Sequence, residues 1–214
     1  MSSKYFRGFT IYISNSFFLS RDSHFHLPPA HLPAIKALGD SIQVKAVYSR
    51  SEKSASAFAV DVKSLLGLSE LPGVYHDGNP TANLPTLLAK SDISAVIVVL
   101  PITTQPTIVL EALAAGKHVL SEKPVAADVA RGQALIQEYE TKYKPKGLIW
   151  RVAENYEYET AYGAAGKAVK DGKIGKVVFY NARVVNHIDK NSKWYNTPWR
   201  TVPDVSRSCY IDST

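Results

Sequence analysis

The stretch from Val96 to Pro124, VIVVLPITTQPTIVLEALAAGKHVLSEKP, restricts the fold more than any other part of the chain. Val96 to Leu100 is a continuous apolar run, mostly β-branched and without polar alternation, as expected of a strand in a parallel sheet covered on both faces. Pro101 ends it. Thr103 or Thr104 can cap a helix whose first turn carries Pro106, where a missing N–H matters little because that donor has no acceptor within the helix. Gly116 closes the helix. Ile108, Leu110, Leu113 and Ala114 supply its apolar face, and Lys117 to Ser121 reads as the next strand. Strand, crossover helix and parallel strand make a β-α-β unit, so the fold class is α/β, a doubly wound parallel sheet of Rossmann type.

The rest of the chain extends this pattern. Phe9 to Ile13 is the candidate first strand, Val44 to Tyr48 the second, and a short third lies around Val74 and Tyr75. A helix runs through Ala55 to Val60, and Leu84, Leu87 and Leu88 give one face of a short helix. Asp128 is placed to cap a helix with Val129, Leu135, Ile136 and Tyr139 on its apolar face, and Leu148 to Ala153 is the last parallel strand. Thr160 to Lys170 predicts a further helix, ended by Gly172, and Val177 to His187 an extended strand. The expected organisation is a divergent segment over 1–29, a Rossmann-type domain over 30–153, and a linker helix with the start of an incomplete second α+β domain over 154–214.

At 214 residues and 45% hydrophobic content, the chain can bury one good core and begin a second. Its net charge of +6 is spread without blocks of like charge, which argues against a nucleic-acid partner and favours anionic ligands. The single cysteine, Cys209, excludes an internal disulfide and supplies no metal-ligand cluster, so no metal site is expected. No apolar run approaches the ~20 residues that span a bilayer. A cytoplasmic protein without membrane attachment is the resulting expectation. Ser14, Asn15 and Ser16 interrupt the N-terminal apolar residues, so Met1 to Arg21 reads as a divergent first strand and polar turn, or, from Lys4, Arg7, Arg21 and the lack of an acid before Asp22, as a weak presequence or poor signal peptide.

The tripeptide Glu122-Lys123-Pro124 closes a strand that follows a helix ending in AAGKHVL. With Val152-Ala153-Glu154-Asn155-Tyr156 and Thr197-Pro198-Trp199-Arg200, it resembles the Gfo/Idh/MocA family of NAD(P)-dependent oxidoreductases over His31 to Asp204. The resemblance implies that Lys123 is the catalytic cation and proton donor, a role that suits lysine because desolvation can lower a lysine's pKa. It also implies that Glu122 and Pro124 shape the turn against the cofactor, that Pro101 and Thr103 border the same crevice, and that Asn155 lies near the nicotinamide. Ser49, Arg50 and Ser51 stand at the end of the second strand, where an acid reads a free ribose hydroxyl and an Arg accommodates a 2′-phosphate. Arg50, with Lys53 nearby, makes NADP the expected cofactor over NAD. A sugar, polyol or related carbonyl compound is the implied substrate, and the second domain's sheet the implied interface of a homo-oligomer.

Two departures bear on activity. Before Asp40 the only glycines are Gly8 and Gly39, so no G-x-G-x-x-G exists and Ser14-Asn15-Ser16 stands in its place, an expectation of weakened cofactor binding. The family's distal G-G-x-x-x-D-x-G-x-H has no counterpart in Val205 to Thr214. The chain therefore reads as a truncated, impaired oxidoreductase of this family, or as a non-catalytic dinucleotide-binding regulatory or protein-interaction module on the same fold.

Overall fold

The computed structural model describes residues 9–13, 31–183, 185, 187 and 189–191. They fall into two units, Met1–Val152 and Ala153–Thr214. The first unit holds six parallel strands: β1 (Phe9–Ile13), β2 (Val44–Ser49), β3 (Gly73–His76), β4 (Ala95–Val99), β5 (His118–Ser121) and β6 (Trp150–Val152), in the order β3-β2-β1-β4-β5-β6. Succession runs outward in one direction from β1 to β3 and in the other from β4 to β6. The reversal between β1 and β4 is the switch point at which such sheets open a ligand crevice beyond the strands' C-terminal ends.

Helices cover both faces, which is why β4 is apolar at every position. Val96 and Val98 pack with Leu87 of α3 (Leu84–Leu88), Leu113 of α4 (Gln105–Ala114) and Leu135 of α5 (Val129–Glu138). Ile97 faces the other way, toward Ile35 of α1 (His31–Ala37) and Phe58 and Val62 of α2 (Glu52–Leu66). Each such side chain, fully buried, contributes about 1.5–3 kcal/mol. α2 begins where Ser51 Oγ accepts from Ser54 N–H at 3.3 Å, and α5 where Asp128 accepts from Arg131 N–H at 2.8 Å. Gly116, at φ +76°, adopts the left-handed conformation that sends the chain from α4 into β5.

Several expectations are corrected. Thr104 holds the cap position of α4 but makes no side-chain cap bond. The buried stripe of α4 is Gln105, Val109, Ala112 and Leu113, at i, i+4, i+7 and i+8, while Ile108 and Leu110 are half-buried and Ala114 is exposed. On α5 the buried residues are Gly132 and Leu135; Val129 and Ile136 face solvent. The last strand is confined to Trp150–Val152.

In the second unit, a 3-10 turn (Tyr156–Tyr158) precedes α6 (Thr160–Lys170), and Tyr156 and Tyr162 meet edge-to-face at 5.9 Å. The strand expected over Val177 to His187 is absent from residues 177–183, which are irregular and exposed, Val178 at 92%. A strand persists only against a neighbour that takes up its N–H and C=O groups. Among its described residues the second unit offers none.

Candidate active site

The expected site residues of the first unit, Thr103 apart, gather at the C-terminal ends of β2, β4 and β5. The turn after β5 is the most tightly built. Ser121 is buried and its Oγ accepts the Trp150 indole N–H at 2.9 Å, which fixes the last strand residue. Glu122 N–H donates to Val98 O at 2.9 Å. Its carboxylate lies 2.8 Å from His31 Nε2 through Oε1 and accepts from Lys123 N–H at 3.2 Å through Oε2. An ionised carboxylate can only accept, so His31 Nε2 carries the proton in this pair.

Gln105, 2% exposed, holds the turn from the other side: its Nε2 donates to Glu122 O at 2.6 Å and to Pro124 O at 3.0 Å, spanning the cis Lys123–Pro124 peptide bond. Those two bonds fix which way the amide points, and its Oε1 is left buried with no partner. Gln105 backbone N–H also donates to Pro101 O at 2.9 Å, so the loop after β4 and the turn after β5 are joined through one residue. Lys123 alone among the three turn residues is exposed, against the expectation of a desolvated lysine.

The three residues after Tyr48 divide their roles. Ser49 is buried and Ser51 caps α2, leaving Arg50 exposed at the crevice edge. Arg50 forms no ion pair with a described residue, although its carbonyl accepts from Asp77 N–H at 3.3 Å. The Tyr48 hydroxyl donates to Asp77 Oδ1; burial first, then this bond and the Asp77 charge, push the phenol well above its usual value. Thr103 lies elsewhere: with Ile102, Pro106, Leu110, Ala127 and Arg131 it lines a groove of ≈ 350 Å³ between α4 and α5 that includes none of Arg50, Glu122 or Lys123. Asn155 belongs to the second unit, where it is exposed and precedes the 3-10 turn. The Ser14 to Ser16 turn is outside the described residues. No cluster of metal-ligating side chains and no helix long and apolar enough to cross a membrane occurs among the described residues.

Sequence reasoning missed His31, Gln105, Tyr48 and Asp77. None of the four carried a local signal, because each acts on a residue distant in sequence, and a buried polar side chain such as Gln105 declares its partners only once the fold brings them beside it.

The Glu122 carboxyl has a definite pH signature. Burial raises it, but the His31 hydrogen bond and charge, with the Lys123 N–H and charge, outweigh burial and hold it below the usual carboxylate value. An acid lowered on folding contributes its stability fully above the unfolded value of ~4.3 and loses it as pH falls through the folded value. Unfolding midpoints measured down an acid series should therefore drop below that range, and Glu122→Gln should flatten this part of the curve. A variant curve parallel to the parent's would contradict the ion-pair geometry.

Comparison with known proteins identifies the family and the fold. Residues 26–146 fit the oxidoreductase family described as having an NAD-binding Rossmann fold. The chain is 37% identical over 185 residues to Dehydrogenase FPY6 of Fusarium mangiferae, a match over 86% of this chain and 50% of the relative. It is 35% identical over 151 residues to dTDP-3,4-didehydro-2,6-dideoxy-alpha-D-glucose 3-reductase of Streptomyces violaceoruber, covering 68% of this chain and 37% of that protein. An oxidoreductase crystal structure from Thermotoga maritima superposes with a TM-score of 0.70 at 28% identity, over 91% of this chain and 52% of the other. The chain spans about half the length of the curated relatives it matches.

Proposed function

Because the chain belongs to the Gfo/Idh/MocA oxidoreductases, whose NAD-binding Rossmann pattern covers residues 26–146, we propose that it binds NADPH in preference to NADH and transfers a hydride to or from a small sugar, polyol or related carbonyl compound. The observation that carries this reading is the turn Glu122-Lys123-Pro124, held by His31, Gln105 and Val98 so that an exposed lysine stands at the C-terminal end of β5. The sugar-nucleotide 3-reductase among the relatives supports the substrate class.

The donor set suits a dinucleotide at two points. Arg50 offers a planar, permanently charged group to a ribose 2′-phosphate. Lys123 offers an ammonium to the reacting end. When bound, the nicotinamide supplies the hydride acceptor or donor. Lys123 opposes the negative charge that grows on the substrate oxygen as carbonyl becomes alkoxide, and passes a proton to it or takes one from it. His31 and Gln105 touch neither reactant; they keep the backbone of the turn from moving under that charge.

Screening the protein with NADPH against sugars, polyols and sugar nucleotides, by absorbance of the reduced nicotinamide, tests the reading. Lys123→Met should lower turnover of an accepted substrate by about 10²–10⁴-fold with NADPH affinity changed far less. Undiminished turnover in Lys123→Met would contradict the assignment. Binding without turnover across the panel would favour a dinucleotide-binding module.

A further inference from the structure

Arg50 and Asp77 should attract each other, yet they do not pair. Ser49 and His76 are register partners in β2 and β3, so Arg50 and Asp77 follow as the next pair beyond both strands, tied by the Asp77 N–H to Arg50 O bond of 3.3 Å. An arginine and an aspartate so placed at a partly open edge would ordinarily form an ion pair. Instead, Asp77 accepts from the Tyr48 hydroxyl, and Tyr48 is anchored in the core at 6% exposure. Both charges act on that hydroxyl in opposite senses, which places Arg50 and Asp77 in the same electrostatic neighbourhood.

We propose that Tyr48 and Asp77 set cofactor preference, Tyr48 drawing the Asp77 carboxylate away from Arg50 so that the guanidinium stays available to the 2′-phosphate of NADPH. The inference rests on the reading of Arg50 as the 2′-phosphate contact. Without the Tyr48 hydroxyl, Asp77 would turn to Arg50, occupy its donors and set a carboxylate against an incoming phosphate. A ligand without the phosphate would be little affected. Tyr48 and Asp77 are thus positioning residues, acting through Arg50 on one functional group of the cofactor.

The test is calorimetric titration of the 214-residue protein with NADPH and NADH, the ratio of the two affinities being the readout. Tyr48→Phe keeps the ring in the core and should lower the NADPH-to-NADH ratio by about three- to tenfold. Asp77→Asn should hold or raise the ratio, and Tyr48→Phe combined with Asp77→Asn should return it to the Asp77→Asn value. Arg50→Ala separates the two levels of the argument. If it abolishes the preference while Tyr48→Phe leaves the ratio unchanged, the proposal is overturned and the Arg50 reading stands. If Arg50→Ala leaves the ratio unchanged, or the parent protein binds neither nucleotide, the underlying reading fails and the proposal with it. A Tyr48→Phe defect that Asp77→Asn does not relieve also overturns it, because the hydroxyl would then be acting by another route.

Discussion

Gln105→Glu should lose about 3–5 kcal/mol of folding stability at neutral pH, among the largest effects available to a single oxygen-for-nitrogen exchange in this chain. The Gln105 amide sits at 2% exposure with its nitrogen donating to Glu122 O and Pro124 O. A carboxylate in that place would aim negative charge at two carbonyl oxygens in a dry site. The buried acid would respond by titrating above its ordinary range, so the folded form would hold its proton longer than the unfolded chain. Stability of the variant should then fall as pH rises through neutrality and partly recover in acid, where one O–H can donate to one carbonyl. Gln105→Leu should be milder, because it discards the partnerless Oε1 along with the donor. Urea midpoints across pH measure all of this; a Gln105→Glu variant as stable as the parent at neutral pH would show that the amide does not hold the turn.

Lys117→Met should lower stability by about 2–4 kcal/mol while leaving nucleotide affinity unchanged. Lys117 is 6% exposed, and its ammonium donates to Lys90 O at 2.7 Å and Ile93 O at 2.8 Å. Methionine fills much the same space but abandons both carbonyls. Lys117 precedes β5, so the full length of that strand separates it from the turn that follows Ser121. Burial lowers the Lys117 pKa. Between that lowered value and the ordinary ~10.4, the unfolded chain binds more protons than the folded one, so Lys117's contribution grows with pH there. The gap in urea midpoint between parent and Lys117→Met should therefore widen on the alkaline side. A gap below about 1 kcal/mol would mean that the two carbonyls find other donors.

The residues that could be read from sequence are those whose chemistry is local. An unbroken run such as AVIVV at β4 needs no partner to declare a strand buried on two faces, and Gly116 and Asp128 mark helix ends by their own backbone and side-chain preferences. Helix faces were less legible: with Ile108, Val109, Leu110, Ala112 and Leu113 all apolar, α4 gives several stripes of similar hydrophobicity, and only the sheet decides which is inward. The strand expected after Lys176 failed because a β-branched composition states a preference, while a ladder needs a second strand. In the site, Arg50 was singled out by its place at the end of the second strand, and Lys123 by the Glu122-Lys123-Pro124 resemblance. His31 and Gln105 were not, because each acts on a residue 91 or 17 positions away and neither belongs to a local pattern. The Tyr48 to Asp77 contact was hidden for the same reason: a tyrosine closing an apolar strand reads as core, and its hydroxyl matters only once β3 lies beside it.

In the proposed function, the ends of β2, β4 and β5 form a dinucleotide site with Arg50 at the ribose and Lys123 at the reacting end. Calorimetric titration of the folded 214-residue protein with NADPH and NADH addresses it most directly. Saturable one-to-one binding, tighter for NADPH and reduced toward the NADH value by Arg50→Ala, is the expected result. A folded protein that releases no heat with either nucleotide, and whose unfolding temperature neither nucleotide raises, would contradict it.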